Sequence, residues 1–226
     1  MKGNPVQNMK QNNLKYLLQK YRHLLLILYL PIYLVVFFLA EKHITTDYWV
    51  SYIPFDDVIP FVEAFVIFYV LWYPFMFLTG LYLLFKDIPA FERYMWFIIF
   101  GFSISIAICI IFPNGQDLRP LEFERVNFCT RLVGLLYEID TNTNVLPSMH
   151  VVGSIAVAFA VFDSKTLKNT LVRTVTLILT ILINLSTVFI KQHSILDIFA
   201  GIAVSLIVWL IVYKSELFRK KEDSTV

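Results

Sequence analysis

Residues 94–112 read YMWFIIFGFSISIAICIIF, nineteen positions without one Asp, Glu, Lys or Arg. A helix at the surface of a soluble domain is apolar along one stripe, whereas this stretch is apolar all round. Its length is close to the roughly 20 residues a helix needs to cross the hydrocarbon of a bilayer. In lipid the backbone must satisfy its own hydrogen bonds, so a run of this kind reads as a helix. Working outward, the same reading finds five more runs: Leu24–Ala40, Phe61–Phe85, Pro147–Phe162, Leu171–Ile190 and Ile195–Tyr213. The expected fold is therefore all-α, an integral membrane bundle of six transmembrane helices over residues 24–213. A polar leader, 1–23, precedes it and a basic tail, 214–226, follows. Composition agrees. Of 226 residues 58% are hydrophobic and 16% charged, and the mean hydropathy is +0.68, while soluble domains carry about 25% charged residues.

A net charge of +2 says little, but its distribution sets an orientation. Fourteen of the nineteen basic residues lie before the first span, between spans two and three, between four and five, or after six. Lys42, Arg119, Arg125, Arg131 and Lys191 lie on the other side. By the positive-inside rule both termini are expected in the cytoplasm of a multi-pass protein, with the plasma membrane as its place. The first span reads as a retained signal anchor, since Leu39-Ala40-Glu41 offers no cleavage pattern. Cys109 and Cys129 suggest neither a disulfide framework nor a metal site, and read as packing residues. The outer loop Glu41–Pro60 mixes aromatic and acidic residues and reads as an interfacial segment. Nothing in the chain points to a nucleic acid.

Two polar knots interrupt the apolar pattern. One is Asn144–Ser154, NVLPSMHVVGS; the other is Lys191–Asp197, KQHSILD. An even number of crossings separates His150 from His193, so both belong on the extracytoplasmic face, as does Arg119. Pro147 suits the first turn of a helix. The N–H groups of Ser148, Met149 and His150 would then face outward with the positive end of the helix dipole, an anion site that the Ser148 hydroxyl extends. His193 and Asp197 stand at i and i+4 and share a helical face. Asp197 would fix the imidazole tautomer. Gly201 and Ser205 continue that stripe and would let a neighbouring helix approach closely.

This set suits phosphoryl transfer without metal or cofactor. His193 would attack phosphorus, with Asp197 stabilising its charge and His150 acting as acid and base. Arg119, with the backbone N–H of Met149, would neutralise the phosphate oxygens. Other readings stand beside it. The two histidines and Asp197 could bind zinc, or the polar cluster could serve a small transporter or channel. A transporter, however, concentrates polar groups at mid-membrane, and here they gather at one face. For Asn184 an interhelical hydrogen bond is expected, and for Glu63 an interfacial position.

The motifs resemble those of the type-2 phosphatidic acid phosphatase superfamily, whose signature is a basic stretch ending Arg-Pro, then Pro-Ser-Gly-His, then Ser-Arg-x5-His-x3-Asp. The matching residues are Leu118-Arg119-Pro120, Pro147-Ser148-Met149-His150, and Ser186-Thr187 followed by His193 and Asp197. The resemblance covers about Phe100 to Gly201. It implies His193 as nucleophile, Asp197 as its partner, His150 as acid/base, and Arg119 and Ser148 as phosphate contacts. The chain departs from the pattern at three places. Phe112 stands where the family has its first lysine, Thr187 where it has an arginine, and Met149 where glycine is usual. Met149 is similar to the branch that resembles inositol phosphorylceramide and sphingomyelin synthases. The loss of two cations favours a monoanionic diester over a dianionic monoester, with Lys191, Arg125 or Arg131 as candidate replacements. The resemblance thus implies a lipid phosphate or phospholipid substrate, with water or an alcohol as acceptor. The oligomeric state is left open.

Overall fold

The computed structural model describes residues 21–44 and 46–215, so most of the leader and nearly all of the basic tail lie outside the described residues. The chain is mostly helical. A 3-10 turn, Arg22–Leu28, runs into α1 (Tyr29–His43), followed by β1 (Trp49–Val50) and the single turn α2 (Phe55–Val58). A second 3-10 turn, Glu63–Phe65, opens α3 (Val66–Lys86), and α4 (Ile88–Ile111) follows at once. After β2 (Asn114–Gly115) come α5 (Phe128–Ile139), α6 (Met149–Asp163), α7 (Thr170–Phe189) and α8 (Ile195–Trp209), which ends in a π turn at Leu210–Lys214.

Among the described residues, five helical segments are long and apolar enough to cross a membrane: Arg22–His43, Glu63–Lys86, Ile88–Ile111, Thr170–Phe189 and Ile195–Lys214. The remaining expected span is α6, an apolar helix of 15 residues. At about 1.5 Å per residue it is shorter than a hydrocarbon core of about 30 Å. It is also the helix at the centre. Val151, Val152, Ala156, Val157 and Ala160 are buried, and α6 packs against α3, α4, α7 and α8. Small residues permit this closeness. A Cβ on Gly153 would lie 2.7 Å from Nε1 of Trp72, and one on Gly201 would lie 2.9 Å from Cβ of Val151 and 3.0 Å from the Ser148 carbonyl. Gly201 is thus where α8 touches the start of α6, and the Ser205 hydroxyl folds back onto the Gly201 carbonyl at 2.7 Å.

Helix starts are fixed by side chains that satisfy the otherwise unpaired first N–H groups. Asp87 caps α4 through Ala90, Asn127 and Thr130 form a reciprocal capping box on α5, and Asn169 caps α7. Ser194 and Asp197 form a capping box on α8. At the end of the bundle remote from the histidines, Arg93 pairs with Asp163 at 2.7 Å, and Asp87 accepts from Ser164 Oγ and Lys165 N at 2.8 Å each. Within the membrane region Ser154 donates to Asn184 Oδ1 at 2.6 Å, the interhelical hydrogen bond expected of that asparagine. Both cysteines are free.

Two departures from the sequence reading shape the site. The long outer loop is built around α5, whose apolar and polar residues segregate to opposite sides; its charged flanks had hidden the helix. The loop Glu41–Pro60 is more than an interfacial segment. β1 pairs in parallel with β2, Trp49 opposite Asn114 and Val50 opposite Gly115, and Ser51 and Asp56 are buried. Glu63 accepts a hydrogen bond from Asn127 Nδ2 at 3.0 Å, tying the start of α3 to α5.

Candidate active site

α6 and α8 both start at the same end of the bundle, and each brings one histidine there. The ring centroids of His150 and His193 are 6.2 Å apart, edge to face, and both side chains are buried. Nδ1 of His193 lies 3.0 Å from the Val145 carbonyl and 3.1 Å from Oδ2 of Asp197. Both partners only accept, so the ring proton sits on Nδ1 and the lone pair is left on Nε2. That nitrogen is 3.4 Å from Oγ of Ser148. The carboxylate itself is held by two further donors, Ser194 N at 3.0 Å and Ser51 Oγ at 2.5 Å.

A second carboxylate braces the first. Asp56 accepts from Ser194 Oγ at 2.6 Å, Ile195 N at 2.9 Å and Ile53 N at 2.9 Å. Neither Ser51 nor Asp56 was picked out from the sequence, because aromatic-acidic loops at membrane depth usually mark nothing but the interface. The adjacent Asp56-Asp57 was the one available signal.

His150 sits in an aromatic slot. Tyr69 stacks on it at 4.0 Å and Trp72 lies at 4.4 Å, with Tyr73 edge-on at 6.2 Å. Its Nε2 is buried without a hydrogen-bond partner among the described residues, a costly state that a bound polar ligand would relieve. Tyr69 in turn donates to Oδ2 of Asp140 at 3.0 Å.

The start of α6 differs from expectation. Pro147 precedes the helix rather than opening it, and Ser148 is the N-cap, with no side-chain capping hydrogen bond. Its hydroxyl reaches His193 instead. Its backbone N–H is consumed by the Asp197 carbonyl at 3.1 Å, which bolts α6 to α8. Met149 is the first helical residue and lines the cavity. The hydroxyl of Tyr33 also contacts the Met149 sulfur.

Arg119 is bound to Gln192 and to the backbone at Tyr137, Asp140 and Thr141. Its Nε and Nη2 donate to Gln192 Oε1 at 3.0 and 2.5 Å, Nη1 to the Tyr137 carbonyl at 3.2 Å, and Nη2 to the carbonyls of Asp140 and Thr141 at 2.8 and 2.7 Å. Its guanidinium also lies over the Tyr137 ring, 4.4 Å from the centroid. With most of its donors engaged, Arg119 organises the loop beside His193 and orients Gln192. Burial pushes its pKa down, partly opposed by the charge of Asp140. Lys191, one of the three candidate replacement cations, joins the neighbouring loop. Its backbone turns through φ 55°, and Nζ donates to the Asp56 carbonyl at 2.8 Å, so it faces the bracing loop rather than the cavity. Arg125 lies 4.0 Å from Glu63, away from the histidines. Thr187, where the family has arginine, returns its hydroxyl to the Asn184 carbonyl at 2.7 Å. No group of His, Cys, Asp and Glu able to hold a metal occurs among the described residues.

A cavity of about 200 Å³ opens beside the histidines. Its wall includes Tyr33, Phe37, Tyr69, Trp72, Tyr73 and Phe102, and its polar floor includes Glu41, Asp140, Gln192 and both histidines. A tautomer-fixed imidazole, a second imidazole and an uncapped helix start around one cavity can accept a phosphorus centre, provide a nucleophile and move a proton. No curated protein and no solved structure matches the chain. Residues 124–221, which carry both histidine motifs but not Arg119, match the family model of the PAP2 superfamily, as the motifs in the sequence had indicated.

Proposed function

We propose that the protein is a six-span lipid phosphatase or head-group phosphotransferase working through a phospho-histidine at the extracytoplasmic face. The reading rests on one observation: the His193 lone pair, fixed by Asp197 and the Val145 carbonyl, lies beside His150 at a shared cavity. His193 Nε2 attacks phosphorus, forming an N–P bond as the P–O bond to the leaving alcohol breaks. His150 delivers the proton to that oxygen. Water or a second alcohol then gives its proton to His150 and attacks phosphorus, the N–P bond breaks, and both imidazoles return to their starting states. Asp197 stabilises the cationic phospho-imidazole, and the backbone N–H of Met149 at the start of α6 faces the phosphate oxygens. The scarcity of free cations favours a monoanionic phosphodiester, a head-group transferase like the inositol phosphorylceramide or sphingomyelin synthases, over a dianionic monoester. For α6 to serve as the sixth span, its 15 residues require polar loops at both ends to dip inward; the buried Asn144 and Ser148 at one end and Ser164 at the other support this.

The experiment is turnover of labelled lipids by the purified protein, with and without an alcohol acceptor. Phosphate release marks a phosphatase and a new phosphodiester lipid a transferase. Equal turnover by wild type and His193→Ala removes the reading. A serine nucleophile is the second reading, because Ser148 Oγ, His193 and Asp197 also line up in the order of a hydrolase triad. Ser148→Ala separates the two: it abolishes turnover if serine attacks phosphorus and leaves a measurable rate if His193 does.

A further inference from the structure

The cavity beside the histidines has an electrostatic character that a phosphate alone does not explain. No lysine or arginine lines it, whereas Glu41 and Asp140 both do. Glu41 accepts from Thr141 Oγ1 through Oε1 at 2.6 Å, and Asp140 accepts from Tyr69 and from Gln192 Nε2 through Oδ2 at 3.0 and 3.2 Å. Among the described residues the Thr141 backbone also donates to the Glu41 carboxylate. Neither carboxylate has an ion pair within 4.0 Å there. Arg119 acts on both from outside the cavity wall, but with no lysine or arginine on the wall itself a phosphomonoester dianion would enter against two carboxylates. Around them stand aromatic rings: Tyr33 lies 6.1 Å from Phe37 and 5.0 Å from Phe102, and Phe102 lies 6.3 Å from Trp72. Carboxylates within an aromatic wall are the arrangement that binds ammonium and quaternary ammonium groups, through the negative faces of the rings. About 200 Å³ gives room for a head group rather than a whole lipid, and at the mouth Leu34 and Phe38 are exposed, as acyl chains remaining in the bilayer require.

We propose that this cavity selects a phosphodiester whose alcohol carries a cation, with Glu41 and Asp140 holding the ammonium while the phosphorus rests at His193. This rests on the phosphotransfer reading above. A zwitterionic head group is neutral overall, so it meets the carboxylates and the nucleophile with no net charge to bury. In this arrangement Glu41 and Asp140 set specificity and take no part in bond making.

The test uses the full chain in nanodiscs with phosphatidylcholine, phosphatidylethanolamine, phosphatidylglycerol or phosphatidate, and separately with soluble glycerophosphocholine, a zwitterionic phosphodiester. Wild type is expected to turn over the choline and ethanolamine lipids at least tenfold faster than phosphatidylglycerol. Glu41→Gln is expected to narrow that ratio about tenfold, with Asp140→Asn as an independent second variant and a thermal melt as the folding control. Binding of soluble glycerophosphocholine, weakened in Glu41→Gln, locates the recognition in the head group rather than the lipid as a whole. Turnover of phosphatidate alone, or equal rates for the three diesters, overturns the inference and leaves the phosphotransfer reading standing. If no lipid turns over, phosphotransfer fails. The cation site then stands only if glycerophosphocholine binds and Glu41→Gln weakens it, and falls if glycerophosphocholine does not bind.

Discussion

Replacing Asp197 by asparagine isolates the charge of one carboxylate from its shape. The atom at Oδ2 receives the backbone N–H of Ser194 at 3.0 Å and Nδ1 of His193 at 3.1 Å. Both are donors, so the asparagine oxygen must occupy that place. Its amide nitrogen then faces Ser51 Oγ, a hydroxyl that can turn from donor to acceptor. Every hydrogen bond can therefore be kept, and the tautomer of His193 with it, since the Val145 carbonyl still accepts from Nδ1. What disappears is the negative charge that meets the developing cation on the imidazole. A hydrogen bond to a charged partner contributes about 1.5–3 kcal/mol. At about 1.36 kcal/mol per tenfold in rate, kcat should fall roughly 10- to 160-fold. Asp197 is fully buried, so water does not screen the effect. The assay is head-group or phosphate release in detergent micelles, paired with a thermal melt to show that the variant folds. A well-folded Asp197→Asn protein within threefold of wild-type kcat would refute the role given to this carboxylate.

Further outcomes follow from the packing and from the second carboxylate. Arg119→Lys removes the forked contacts to Gln192 and to three carbonyls, so it should lower the melting temperature together with activity; a residue that only gripped phosphate would raise KM and leave the melt unchanged. Gly201→Ala places a Cβ 2.9 Å from Val151 Cβ and 3.0 Å from the Ser148 carbonyl, and forcing α6 from α8 should cost about 1–3 kcal/mol in stability by denaturant titration. Burial raises the Asp140 carboxyl above the usual carboxylate range, against the opposing effects of Tyr69, His193 and Arg119. A group whose folded pKa is raised contributes stability in full below its unfolded value and loses it as pH rises through the folded value. Melts recorded from low pH to neutrality should therefore show a decline for wild type that Asp140→Asn lacks.

The parts of the molecule legible in sequence were those with strong local signals. Long apolar runs with at most one charge marked the long helices, the i, i+4 spacing joined His193 to Asp197, and counting crossings placed His150 beside them. Glycine at 201 pointed to the close approach of α6 and α8. What stayed hidden depends on chain segments meeting from far apart. Ser51 and Asp56 act only because a two-residue parallel pairing pins their loop over α8, and no periodicity in that loop announces it. Gln192 was in view within KQHSILD, yet a glutamine adjoining a histidine carries no rule; its role appears once Arg119 is found on it. Lys191 was one of three candidates for the missing cation that the sequence could not place, and the left-handed turn at its own backbone sets it against the Asp56 loop. Pro147 satisfies the rule for a first helical turn, but the hydrogen bond from Ser148 N to Asp197 O begins the helix later.

The central claim is that phosphorus becomes bonded to His193 Nε2. Wild-type protein turning over a lipid labelled at phosphorus can be quenched under alkaline denaturing conditions, which preserve a phosphoramidate, and its peptides mapped by mass spectrometry. The label is predicted on the peptide containing His193 and should be absent from His193→Ala. Label on Ser148, or full turnover with stereochemical inversion at phosphorus and no labelled peptide at any time, would contradict it.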